Sequence, residues 1–103
     1  MQVHSGVWKP SVTESEKKLA GSCEITNLSL KAGGGAAFVA FYDAVDSAGA
    51  IPSNLKWVLD ASTTDVDNES FAGLVFSRGV YAICEQGADF NPVVCIAANK
   101  YIV

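Results

Sequence analysis

From Cys23 onward the chain is divided into runs of about 5 to 10 residues rich in β-branched and aromatic side chains, each closed by Gly, Asn, Asp, Ser or Pro. Such side chains pack well on a pleated surface, whereas the residues between them interrupt a ladder or supply turn geometry. A chain with this rhythm folds as strands and turns. The first run, 23–30, is closed by Lys31-Ala32-Gly33-Gly34-Gly35. The next, 36–43, is apolar on both alternating faces, which predicts a central strand covered on both sides. After a turn-rich connection at 44–54, the run 55–61 places Trp57 and Leu59 on one face and Lys56, Val58 and Asp60 on the other. A polar loop is expected at 62–69. The runs 71–76 and 80–85, separated by Ser77-Arg78-Gly79, read as a hairpin. The final run, 93–103, ends in Lys100-Tyr101-Ile102-Val103, which should be paired in a sheet or against a neighbouring subunit.

Six or seven strands at this spacing, with no long helical pattern and no parallel crossover, predict an all-β fold. The expected architecture is a single antiparallel β-sandwich with jelly-roll-like connections, with a small barrel as the alternative. The size is right for one core, since half of the 103 residues are hydrophobic and only 17% are charged.

The first 20 residues differ. They combine Pro10 and a charged run at 14–18 with isolated apolar positions at Val3, Val7, Trp8, Val12 and Leu19. They read as an N-terminal arm or first edge strand, residues 1–20, ahead of a sandwich domain at 21–103. A short helix from Ser11 is a further possibility, because Thr13-Glu14-Ser15-Glu16 resembles a capped start, but Gly21 soon follows. An isolated tryptophan in a polar segment must find cover, so Trp8 is the foremost candidate for an anchor that docks on another subunit.

Seven basic against eleven acidic residues give a net charge of −4, and no basic stripe is present, so nucleic acid is not expected as a partner. No apolar run approaches the roughly 20 residues of a membrane span, and the N-terminus lacks the pattern of a signal peptide, so a soluble protein made in a cytoplasm is expected. Cys23, Cys84 and Cys95 are odd in number and lack C-x-x-C spacing, which makes them thiols rather than disulfide or zinc ligands, and Cys84 and Cys95, in apolar alternating segments, read as buried. A nucleophilic cysteine would need a base, and the sole histidine is His4, in the arm.

The remaining chemical motifs are weak. Asp65, Asp67 and Glu69 alternate as in some calcium loops, but the mid-loop glycine and flanking helices are missing, which leaves a solvated acidic turn. Asp43 and Asp46 are better explained as strand-ending turn residues than as an acid/base pair. Gly33 to Gly35 lack the lysine and helix of a phosphate-binding loop. No catalytic residue, metal ligand or cofactor site is therefore expected. Trp8, Trp57, Tyr42, Tyr81 and Tyr101 could form a sugar-stacking platform if exposed, although Trp57, Tyr42 and Tyr81 fall in strong strand runs and read as core or half-buried.

Several blocks resemble a group of small accessory structural proteins of tailed-bacteriophage virions. They are the opening strand 25–30, the glycine turn, Ala37-Phe38-Val39-Ala40-Phe41-Tyr42-Asp43, the Asp46-Ser47-Ala48-Gly49 turn, Leu74-Val75-Phe76-Ser77-Arg78-Gly79-Val80-Tyr81, and the closing strand from Val93 to Tyr101. The resemblance leaves the N-terminal arm uncovered. It implies a non-enzymatic β-sandwich protein located in the virion, which decorates or cements a capsid or forms a head-fibre or tail component. The implied partners are the major capsid protein or other virion subunits and copies of itself, in a homo-oligomer. On this reading Val7, Trp8, Val12, Tyr101 and Val103 are the interface residues. A carbohydrate-binding module that uses Trp57 or Tyr81 is the alternative.

Overall fold

The computed structural model describes residues 2–11, 14–62, 65–86 and 91–100. These form eight strands: β1 (Gln2–Trp8), β2 (Glu16–Ala20), β3 (Cys23–Lys31), β4 (Ala37–Asp43), β5 (Leu55–Ala61), β6 (Val66–Phe76), β7 (Gly79–Gln86) and β8 (Val93–Lys100). The first four strands pair antiparallel with the last four in reverse order, β1 with β8, β2 with β7, β3 with β6 and β4 with β5. Two further pairings, β3 with β8 and β4 with β7, roll this long double ribbon into two sheets of order β1-β8-β3-β6 and β2-β7-β4-β5. The expected antiparallel β-sandwich is thus formed, and its connectivity is that of a jelly roll.

Strand alternation decides which side chains meet between the sheets. In β3, Cys23 and Ile25 point inward, Thr26 is an extra residue at a register shift, and Leu28 and Leu30 then continue inward. The irregularity changes the parity of the strand at the point where its apolar pattern also changes parity, so all four side chains remain buried. The Thr26 hydroxyl donates to the Ala97 carbonyl at 3.2 Å. Val39 and Phe41 of β4, Leu59 and Ala61 of β5, Val80, Ala82 and Cys84 of β7, and Val94, Ile96 and Ala98 of β8 complete the core with Phe76.

Four sequence expectations need correction. Strands β6 and β7 do not form a hairpin, because β6 pairs with β3 in one sheet and β7 with β2 and β4 in the other. Residues 77–78 instead carry the chain across the sandwich. Gly79 makes this crossing possible: its φ is +156°, and a Cβ there would lie 2.6 Å from the Leu19 carbonyl oxygen. Strand β4 is central, but only its inner face is covered by the opposite sheet, and Phe38 on the outer face is exposed. The expected loop at 62–69 is strand from Val66, since Asp67 and Glu69 alternate along an edge strand where polar side chains can reach solvent.

The fourth correction concerns Trp8, expected from the sequence to dock on another subunit. Of the two readings, arm or edge strand, residues 2–8 and 16–20 are edge strands, one in each sheet. Trp8 pairs with Val94 and is only 8% exposed, within the core cluster. It finds its cover inside its own chain. No helix forms at 16–20, and Val12 and Thr13 lie outside the described residues.

Candidate interaction surface

The two sides of the sandwich are finished differently. On the β5/β6 side, Trp57 meets Phe71 edge-on at 4.9 Å between ring centroids and 83° between planes. Asp67 of β6 also reaches across to the other sheet, where its Oδ2 accepts from the Asp60 backbone N–H at 3.0 Å. A donor on the margin of β5 is thereby satisfied, and this side is closed.

The β1/β2 side is open. A mostly apolar groove of about 180 Å³ lies between the sheets, lined by Gly6, Val7, Trp8, Lys17, Leu19, Ile96 and Ala98. Its local cause is Gly6. This residue lies opposite Ile96, two positions before the inward Trp8, and a Cβ built on it meets nothing within 4 Å. Val7, between them, faces outward and is 64% exposed, the most exposed of the large apolar side chains described.

The proposed interface residues therefore separate. Val7 is on the surface, Trp8 is in the core, and Val12, Tyr101 and Val103 lie outside the described residues. Among the described residues the sugar-platform candidates do not present free rings, and Tyr101 lies outside them. Tyr81 is 1% exposed, and Trp57 is committed to Phe71, with its indole N–H buried and without a hydrogen-bond partner. Tyr42 is half-buried, 6.4 Å from Tyr81 between ring centroids. Burial raises the Tyr81 hydroxyl pKa, assisted by its hydrogen bond to Glu16 and by the charges of Glu16 and Asp46.

The two aspartates considered as an acid/base pair serve the backbone. Asp43 clasps the crossing between β6 and β7, with Oδ1 accepting from the Arg78 N–H at 2.8 Å and Oδ2 from the Ser77 hydroxyl at 2.9 Å. Partial burial would raise its pKa, but these hydrogen bonds, with others from the Ser77 and Gly79 backbone, outweigh burial and hold the carboxyl below its ordinary value. Arg78 extends the clasp to the Asn54 side-chain oxygen at 3.3 Å, and Asn54 in turn donates to the Gly49 carbonyl. Asp46 caps the short 3₁₀ turn Ser47–Gly49 by accepting from the Ala48 N–H. The sequence showed these aspartates as turn residues but not their partners, which are up to 35 positions away.

Cys23 and Cys84 are buried thiols, and Cys95 is a half-buried one on the outer face of β8. Burial pushes the Cys84 pKa up to about 11, the direction opposite to activation of a nucleophile. Among the described residues no group of three or more His, Cys, Asp or Glu side chains is placed to hold a metal ion, and no helix is long and apolar enough to cross a membrane. The chain matches no protein-family model and no curated protein.

Proposed function

We propose that this chain is a non-enzymatic structural protein of a virion, a decoration or cement protein of a tailed-phage capsid that binds neighbouring capsid subunits. The observation that carries the reading is the complete eight-strand roll, an architecture used by viral capsid proteins. Fold alone does not specify function, and the surface adds support. The exposed side chains Val45, Ile51 and Leu55 all fall in or at the end of the connection between β4 and β5, and Val7 stands out from the edge strand β1. Apolar groups of this kind gain from burial against a protein neighbour. The Asp43 clasp ties the same connection to the crossing at Ser77 and Arg78, so it is held in a defined shape for docking.

The carbohydrate-binding alternative gains no support from the rings assigned to it, since Trp57 and Tyr81 are engaged in packing. The test is to band particles from the native source on a density gradient and quantify this chain by mass spectrometry. It is expected to co-migrate with intact particles in a fixed ratio to the shell subunit. Its confinement to the soluble fraction would overturn the reading.

A further inference from the structure

We infer that the groove on the β1/β2 side is a docking pocket for a partner protein: it takes one large apolar side chain from an extended segment of that partner, and Lys17 holds a carboxylate of the same segment. Its floor and walls come from Gly6 and Trp8 of β1, Lys17 and Leu19 of β2, and Ile96 and Ala98 of β8. Because β1 and β2 end their respective sheets, no further strand of the described chain closes this side.

Size selects the kind of occupant. The groove holds about 180 Å³, close to the roughly 150 Å³ apolar cavity that accepts a benzene ring and well short of the about 300–1,000 Å³ of sites for drug-sized ligands. It therefore has room for one ring or branched chain, the dimensions of a single anchor residue at a protein interface. The space exists because β1 carries glycine opposite Ile96, where a Cβ would meet nothing within 4 Å. The outer backbone groups of β1 and β2, on either side of the groove, pair with no strand of the described chain, which suits an extended segment better than a compact small molecule.

Charge specifies the rest. In β2, Lys17 lies opposite the buried Ala82 and so shares the inward face with Leu19, which lies opposite Val80. Lys17 lines the groove and yet is exposed, which places its cation at the mouth. Glu16 and Lys18 lie on the other face of β2, opposite Ile83 and Tyr81, and pair with each other at 3.9 Å. Among the described residues Lys17 makes no ion pair, and every other lining residue is uncharged. An apolar pocket rimmed by one unpaired cation is complementary to an apolar side chain accompanied by Asp or Glu. A spacing of two residues keeps both on one face of an extended segment. An inward lysine on an edge strand also discourages strand addition, but that role alone predicts no preference for a carboxylate.

The inference rests on the assembly reading only for the source of the segment, a neighbouring virion subunit, and the pocket is tested without particles. The probe is the capped peptide Thr-Phe-Thr-Asp-Thr-Thr, titrated into isotope-labelled full-length chain and followed by amide chemical shifts. Shifts should centre on residues 6–8, 17–19 and 96–98. The parent should prefer this peptide about threefold or more over one with lysine in place of aspartate, and Lys17→Glu should reverse the preference. Gly6→Leu, which fills the groove from within, should weaken binding about tenfold or more with the fold intact by thermal melting. No binding by the parent, equal affinity for the two peptides, a Lys17→Glu effect confined to aggregation, or equally tight binding of free 3-phenylpropionate would overturn the inference. Peptide binding by a chain that is missing from purified particles would retain this inference and remove the virion assignment. Particle association that Gly6→Leu and Lys17→Glu leave undiminished, with no peptide binding, would do the reverse.

Discussion

Replacing Trp8 with alanine asks whether the N-terminal segment is part of the folded body. The side chain is 8% exposed in the core cluster and is carried by a strand paired to β8. Truncating a buried Trp costs about 3–5 kcal/mol when surrounding groups cannot collapse into the space. Trp8 borders an open groove of about 180 Å³, so water can enter the enlarged space and the lower end, about 3 kcal/mol, is expected. A domain of this size has an unfolding entropy near the midpoint of about 0.22 kcal/mol/K, which converts that loss into a fall in Tm of about 14 °C. Val7→Ala, at a side chain 64% exposed, should cost no more than about 0.5 kcal/mol, or about 2 °C. Differential scanning calorimetry on both variants makes the comparison. A Trp8→Ala protein that melts within a few degrees of the parent would refute the placement of this ring in the core and restore the segment to a free arm.

Asp43→Asn should cost about 1–2 kcal/mol at pH 7 by weakening the charge-assisted hydrogen bonds from Ser77 and Arg78. Because the Asp43 pKa is lowered on folding, its ionic contribution is present above the unfolded value of about 3.9 and is lost as pH falls through the folded value; urea titrations of both proteins should converge in that acid range. Gly79→Ala should destabilise by about 2 kcal/mol or more, since the added Cβ would lie 2.6 Å from the Leu19 carbonyl oxygen at a φ of +156°. Gly6→Ala should instead raise stability by about 0.4–1 kcal/mol, because its Cβ enters open space and the unfolded chain loses freedom; thermal melts distinguish the two signs. With a thiol reagent at pH 8, native Cys84 should stay unmodified while Cys95 reacts, and denaturation should release Cys84; rapid native labelling of Cys84 would contradict its burial and raised pKa.

The core strands were legible because their alternation is local. The run 55–61 coincides with β5, and Trp57 and Leu59 do share the inward face. The crossing at 77–79 was not legible as such. Ser-Arg-Gly is equally good chemistry for a hairpin and for a turn that leaves one sheet for the other, and the choice is made by distant partners, β3 for one strand and β4 for the next. Trp8 misled for a similar reason. Its neighbours Lys9 and Gly6 make it look isolated along the chain, whereas its companions Val94 and Ile96 lie at the far end of the sequence. The groove also depends on long-range pairing, since nothing local shows that Gly6 sits inward over Ile96 beside a short edge strand.

The most direct test of the assembly role is to titrate purified full-length chain onto particles stripped of it and measure bound protein by sedimentation. The proposed function predicts saturable binding at a fixed stoichiometry relative to the shell subunit, with full occupancy restored. Failure to bind, or uptake that rises without saturation, would contradict it.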